Sequence, residues 1–492
     1  MNQNLTLGKG ENLMIKGKKC IVAAVAAIFA LSFSVPLYAD QSEKSTVEKL
    51  LDILEQKGII TEDQHGDLTE ELGVEEQELE EQKQVVQEVK KKEENRPRVG
   101  YKNGFFLETP EKDFKLKIGG RVFADFRAYN SGHPSDSEFY ISRARIYLAG
   151  TLYKYFDFKV QADFGKGDSK LKDGYINVNY FPYAQVKMGQ FKAPFSLERM
   201  TSSKYIDFIE RALPVDNLTP DRDIGVMVHG AYKPFGLHYG IGIFNGARSN
   251  ESDADNHKDL VARVGISPFT RRGPDILKGL HLGVSTSYGE QDTAYPSDRD
   301  SIWNKGEWIT AGDTEFAEYN NGVAHDGKRK RIGVELAWLQ GPFSLYGEWM
   351  KVYLDDMQNR WGESHDLKTD GAYVAMSYFL FGGKRKFKTS KAEFSRPTIT
   401  KVFDPSQGTW GALELAMRYD RLTLSDGFFD HGYVDKMGYT DEVQGGTFGF
   451  NWYFNEMARF MFNYNYVDFD DYVADADDDH EDVFMARFQL DF

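Results

Sequence analysis

Three arginines stand out for what they could do together. Arg143 and Arg145 lie two residues apart in a strand-like segment, and Arg121 lies in the segment before it. A guanidinium is planar, stays charged at any working pH and offers several donors in a fixed fork, which suits phosphate-like oxyanions. Strand period two puts Arg143 and Arg145 on one face, opposite Ala144, Ile146, Leu148 and Leu152. The same parity sets Arg121 and Arg127 against Val122, Ala124 and Phe126, and Lys159 against Val160 and Ala162. Lys187 follows the same rule, as do Arg263, Arg331, Arg418, Arg459 and Arg487. These side chains are expected to face water, together with Asp125, Asp157, Asp163, Glu335, Glu348, Glu414, Asp420 and Asp491. Two readings stand. The cations gather anions, or they pair with wall carboxylates such as Asp125 and only stiffen the wall.

The elements that must carry these residues alternate without a break. At the end of the chain Phe484, Ala486, Phe488, Leu490 and Phe492 oppose Met485, Arg487, Gln489 and Asp491. Leu413, Leu415, Met417 and Tyr419 oppose Glu414, Arg418 and Asp420; Phe460, Phe462, Tyr464 and Tyr466 oppose Arg459, Asn463 and Asn465. One apolar and one polar face on strand after strand is the pattern of a barrel with lipid outside and water inside. The mean hydropathy of −0.53 does not argue against this, because half of each such strand is polar. The 36 Phe, 27 Tyr and 46 Gly residues suit many twisted strands with aromatic girdles.

Short turns are expected near 153–156, 181–185, 233–235, 341–343 and 455–457. Long polar loops are expected near 130–137, 165–172, 191–222, 246–258, 290–328, 354–368, 422–441 and 469–482. This gives an all-β fold, a transmembrane antiparallel barrel of about sixteen strands with both termini on the short-turn side. Residues 381–408 break the rule on that side; they are long and basic and read as a solvated loop, with Lys384–Lys401 as an anion funnel at the periplasmic mouth or a site for anionic polymers as the alternative.

The chain begins differently. Lys16, Lys18 and Lys19 precede an apolar run and Ala39, the layout of a secretory signal over residues 1–39. Cys20, the only cysteine, lies inside it, so no thiol chemistry is expected downstream. Residues 40–96 read as a periplasmic helical segment with a turn at Gly58 and a capped restart at Thr61. Leu72, Leu79, Val86 and Val89 give it a weak coiled-coil seam, although Glu75 and Gln82 interrupt it. The barrel domain is 97–492.

Several runs resemble the phosphate-selective porin O and P family. They are Gly189-Gln190-Phe191-Lys192-Ala193-Pro194-Phe195-Ser196-Leu197-Glu198, then Glu210-Arg211-Ala212-Leu213 and Arg222-Asp223-Ile224-Gly225. Trp410-Gly411-Ala412-Leu413-Glu414-Leu415-Ala416-Met417-Arg418-Tyr419 and Gly449-Phe450-Asn451-Trp452-Tyr453-Phe454-Asn455 continue the likeness. The resemblance implies a homotrimeric bacterial outer-membrane porin, a loop folded into the lumen, small anions as solutes and a terminal aromatic read by the barrel-assembly machinery. The candidate loop, 191–222, brings Lys192, Arg199, Arg211 and Arg222 to the pore, but also Glu198, Asp207, Glu210, Asp216 and Asp221. That mixture keeps a general diffusion pore open beside a phosphate-preferring one.

Net charge, −16, says little about the pore, because much of the acid lies in the N-terminal helix and in outer loops such as 470–482. Those loop acids lack the spacing of a calcium loop and read as solvated. No G-x-S-x-G elbow, Walker loop, H-E-x-x-H or dinucleotide fingerprint is present, so no enzyme and no cofactor is expected. The expected partners are outer-membrane lipid and small anions. A structural alternative is an anchor whose N-terminal helix binds the cell wall. Nothing points to nucleic acid.

Overall fold

The computed structural model describes residues 45–94, 96–130, 133–251, 256–292, 306–476 and 478–492. The expected signal segment lies outside them. Two compact units divide between Arg96 and Pro97.

The first unit is a pair of helices, α1 (Thr46–Gln56) and α2 (Glu62–Glu94). Ser45 caps α1 reciprocally: its Oγ accepts from the Glu48 amide at 3.2 Å and its own amide donates to the Glu48 carboxylate at 2.7 Å. Gly58, at φ +67°, lets the chain reverse, and Thr61 and Gln64 repeat the reciprocal cap ahead of α2. Of the seam residues, Leu72 and Leu79 are half-buried and Val86 and Val89 are exposed.

The second unit is dominated by one antiparallel sheet that closes on itself. Its barrel strands are β1 (Lys115–Tyr129), β2 (Glu138–Leu152), β3 (Phe156–Asp163), β4 (Lys170–Phe181), β5 (Ala184–Lys192), β6 (Arg222–Tyr232), β7 (Leu237–Phe244) and β8 (Asp259–Ile266). The circuit continues with β9 (Leu280–Asp292), β10 (Ala324–Gln340), β11 (Phe343–Gln358), β12 (Ser364–Phe381), β13 (Ala412–Leu424), β14 (Glu442–Tyr453), β15 (Ala458–Val473) and β16 (Asp478–Asp491). Each pairs with its sequence neighbours, and β16 returns to β1 in a register running from Val483 opposite Tyr129 to Asp491 opposite Arg121. Closure satisfies every strand edge, which a wall in lipid requires. The last residue completes it: Phe492 and Gly120 exchange backbone hydrogen bonds of 2.8 and 3.1 Å. A Cβ on Gly120 would lie 2.7 Å from both the Phe492 ring and the Arg145 carbonyl oxygen, so only glycine fits there.

Outward residues such as Val122, Ile146, Val160, Ile176, Val226, Ile241, Val284, Val374 and Phe484 are exposed apolar side chains, in line with the expected parity. The inner face departs from expectation. On β11 the inward Tyr346, Met350, Val352 and Leu354 are buried. They join Leu367, Leu422, Leu424, Val443 and Phe469 from the neighbouring strands in one apolar core within the lumen. Two outer loops fill that space. Residues 193–221 bring short helices Leu197–Met200 and Leu213–Leu218, and a hairpin, Glu307–Ile309 with Glu315–Glu318, packs beside them. Trp308 is fully buried there, its ring 4.8 Å from Tyr319 and 5.5 Å from Phe428. Outward Leu345, Trp349 and Tyr353 also make β11 apolar on both faces, so period two alone could not tell a dry interior from a wet one.

The basic segment after β12 is also not a solvated loop. It forms a hairpin, Gly383–Lys388 with Glu393–Ile399, that enters the lumen from the short-turn rim. The Ala392 carbonyl accepts from Arg263 Nη2 at 2.7 Å, Phe394 lies 4.9 Å from Tyr346, and Phe387 lies 4.7 Å from His281. Phe387, Ala392 and Phe394 interrupt the run of cations and give the hairpin its buried side.

Candidate functional site

Opposite the apolar core, the inward faces of β1–β6 are polar and border open space. A chamber of about 370 Å³ is bounded by β1–β6, by the inner loop and by the tip of the short-turn hairpin. Of the fifteen cations named from sequence for the pore, nine line it: Arg121, Arg143, Arg145, Lys159, Lys187, Lys192, Arg199, Arg211 and Arg222. Arg127 lines an adjoining vestibule of about 200 Å³ toward the long-loop rim, which shares Arg143, Arg211 and Asp216 with the chamber. Lys172 and Lys391 complete the chamber, giving eleven cationic side chains against four carboxylates: Asp173, Asp216, Asp221 and Glu393.

Local backbone irregularity aims several of these groups. An extra residue on β2, Ser142, breaks the register between Phe123 and Ala124 and sets Arg143 opposite Phe123, its guanidinium 5.5 Å above that ring. A second break on β4 leaves Lys172 unpaired and turns it inward, which parity counting misses. Lys391 was read as part of a solvated loop, and only the fold of the hairpin brings it to β5.

The cations divide by partner. Arg145 Nε pairs with Asp163 at 2.6 Å, Lys159 Nζ with Asp173 at 2.5 Å, Arg222 Nε with Asp173 at 2.8 Å and Arg199 Nη2 with Asp216 at 3.0 Å. Arg143 reaches Glu210 only at 3.7 Å, and Arg127 lies 3.0 Å from Asp313. Arg121 instead donates to the Ser203 hydroxyl at 2.7 Å. Lys192 donates to the carbonyls of Arg199 and Thr201 at 2.5 and 3.0 Å, and Arg211 to those of Glu198 and Thr201 at 3.3 and 3.2 Å. Lys187 sits 4.9 Å from the Tyr175 ring and 5.2 Å from Phe191. So Arg145 stiffens the wall as one reading expected, whereas Asp125 serves Arg487 at 2.6 Å and not Arg121.

The remaining inward cations do not face water. Arg263 forks onto Glu335 at 2.6 and 2.9 Å, and Arg331 lies 3.1 Å from Ser287 and 3.6 Å from Asp259. Arg418, Arg459 and Arg487 are buried against the inner loop. Glu348, also expected in water, anchors the start of that loop. It accepts from Ser196 Oγ, the Leu197 and Glu198 amides and Tyr373 Oη at 2.8–3.0 Å. The inner loop, expected in the lumen but not against these strands, covers Arg418, Arg459, Arg487 and Glu348.

A closed sixteen-strand wall with an inward loop and a basic chamber narrows the comparison with known proteins. The family description "Phosphate-selective porin O and P" matches residues 114–492. The chain belongs to this family. It is an outer-membrane porin, and its wall crosses the bacterial outer membrane. Among this porin's curated relatives, Porin O of Pseudomonas aeruginosa is 28% identical over 422 residues, covering 80% of this chain and 91% of that one. Solved structures similar to this porin include an anion-selective porin from Comamonas acidovorans (11% identity, TM-score 0.48), covering 77% of this chain and 100% of that one. Another is the channel DcaP of Acinetobacter baumannii (10% identity, TM-score 0.49), covering 77% and 97%.

Proposed function

We propose that this porin passes small anions, phosphate among them, through the basic chamber and vestibule. The observation that carries the reading is the excess of eleven cations over four carboxylates around one water-accessible space. A local ring of charge sets ion preference, whatever the net charge of the chain. Of the five acids of the inner loop, Asp216 and Asp221 are already among these four carboxylates and Glu210 borders the vestibule; the other two lie elsewhere. Glu198 is buried and accepts from the Ala212 amide, and Asp207 is held by Arg385 and Tyr346, both away from the chamber. This argues against a charge-balanced general pore. Oxyanions would exchange water for guanidinium, ammonium and hydroxyl donors such as Arg121, Lys187 and Ser203, step by step from Arg127 to Lys391.

The test is ion selectivity of the purified protein in planar bilayers, with phosphate competing against chloride. Anion preference and block of chloride current by phosphate are expected. A cation-selective pore would overturn the reading, and an anion pore indifferent to phosphate would reduce it to general anion diffusion. We also infer a channel without hydrolytic activity, testable on lipid esters, a secretory signal over 1–39, a periplasmic helical segment over 40–96 and the porin domain over 97–492. A homotrimer whose α2 seams meet at Leu72, Leu79, Val86 and Val89 fits the exposed valines, and crosslinking at these positions tests it.

A further inference from the structure

Residues 202–211 cross the lumen as irregular backbone, a strap between the chamber and strands β13–β16. Such a segment inside a membrane barrel has no ladder partners, so side chains must satisfy its carbonyls. They do so from one side. Gln489 Nε2 donates to the Lys204 carbonyl at 3.2 Å, Arg385 Nη2 to Tyr205 at 2.9 Å and Arg459 Nη2 to Ile206 at 3.0 Å. Asn451 Nδ2 donates to Asp207 at 3.0 Å, Arg487 Nη1 to Ile209 at 2.8 Å and Arg418 Nη1 to Glu210 at 3.0 Å. None of these six donors lines the chamber, whereas Ser202, Ser203 and Arg211 of the strap do.

Three of the four arginines share a design. Arg418, Arg459 and Arg487 fix part of the guanidinium on a group outside the strap and spend a separate N–H on the strap. Arg385 grips the strap twice, at the Tyr205 carbonyl and the Asp207 carboxylate. Arg385 is held by Asp207, and Arg418 Nε by Asp420 at 2.6 Å. Arg459 holds Gln489 at 3.2 Å, and Arg487 holds Asp125 at 2.8 and 2.6 Å. A fork fixed in this way presents its remaining donor at a set place with little entropy left to lose.

We propose that Arg385, Arg418, Arg459 and Arg487 are positioning residues for solute selection. They fix the strap from behind, so that Ser203 seats Arg121 and Arg211 stands where vestibule and chamber meet. They act on the permeating anion without touching it. The proposal rests on reading the chamber as the anion path.

Arg385 offers the sharpest test, because its hairpin lies within the lumen and is no part of the barrel wall, so its loss leaves every barrel strand pairing intact. Full-length protein carrying Arg385→Gln, Arg459→Gln or Arg121→Gln would be compared with wild type in planar bilayers, reading chloride conductance, open-channel noise and phosphate block. Arg385→Gln and Arg459→Gln are expected to add subconductance flicker and weaken phosphate block about tenfold, the scale of one charge-assisted hydrogen bond. Arg121→Gln should weaken block without flicker. Inserted Arg385→Gln channels with wild-type noise, conductance and block would overturn the proposal, even if Arg459→Gln failed to assemble. A cation-selective wild type would sink the chamber reading instead, and flicker in Arg385→Gln would still decide whether the strap is held as argued.

Discussion

The two halves of the lumen are built from the same kind of strand and end up as opposites. Along β1–β6 the inward positions carry Arg121, Arg145, Lys159 and Lys187 around open space; along β11–β15 they carry Tyr346, Met350, Leu367, Leu422 and Phe469 in a dry core. Outside, both halves present the same apolar face. The difference lies in what meets the wall. Apolar loop residues such as Leu213, Val215, Leu218 and Trp308 settle on the half whose inner face is apolar, and the water path is pushed to the other side. A barrel interior is therefore two problems, a packed core and an ionic conduit, solved side by side, and the halves should respond differently to the same experiment.

The largest effect is expected from the dry half. Trp308→Ala removes a fully buried ring and should cost about 3–5 kcal/mol of local stability, the usual range for such a truncation. Hydrogen exchange over residues 306–319 should rise steeply while the barrel stays closed; unchanged protection would show that the core does not hold the hairpin. In the wet half, replacing Arg121, Arg143 and Arg145 together by Gln should lower the anion-to-cation permeability ratio about tenfold, with a loss of thermal stability because Asp163 loses its partner. An unaltered reversal potential would erase the functional distinction between the halves. Lys391→Gln, at the tip of the hairpin, should weaken phosphate block about twofold, and less at high salt because the charge borders water. Equal weakening at all ionic strengths would point to a dry contact there.

The smallest effect is a pH dependence in the outer part of the dry half. Burial, with Glu318, Glu307 and Asp475 nearby, pushes the Glu315 carboxyl up to about 7, although a hydrogen bond from Tyr439 opposes the shift. The folded hairpin therefore binds a proton that the unfolded chain releases near its ordinary 4.5, so this contribution to stability is complete below 4.5 and is lost as pH rises through about 7. Protection factors over residues 315–319, exchange taken relative to its intrinsic base-catalysed rate, should fall from pH 6 to pH 8, and Glu315→Gln should abolish the fall. A trend that survives in the variant would assign the titration elsewhere.

Much of this was legible in the sequence because period two reports directly on which side chains share a face. The wall, its strand number and the cations of β1–β6 follow from it, and so does the inward loop once its residues were matched to the family. Parity could not say what lies inside. Arg263 and Arg487 satisfy the same rule as Arg121, yet they fork onto Glu335 and Asp125 away from the chamber that Arg121 borders. What separates them is the path of the loops and of the 383–399 hairpin, set by contacts between residues far apart in the chain, such as Phe394 with Tyr346 or Ala392 with Arg263. Lys172 was hidden for a local reason, since one unpaired residue shifts the phase of the alternation.

The strap across the lumen has a consequence for how such channels can be recombined. Its backbone partners are scattered over β13–β16 and the hairpin, at Arg385, Arg418, Asn451, Arg459, Arg487 and Gln489. A chimera that moved residues 193–221 alone into a foreign barrel would carry bare carbonyls into a place where water is scarce. The exchangeable unit is discontinuous, a loop together with six distant side chains, so solute preference in this architecture is inherited by the back wall as much as by the loop that faces the solute.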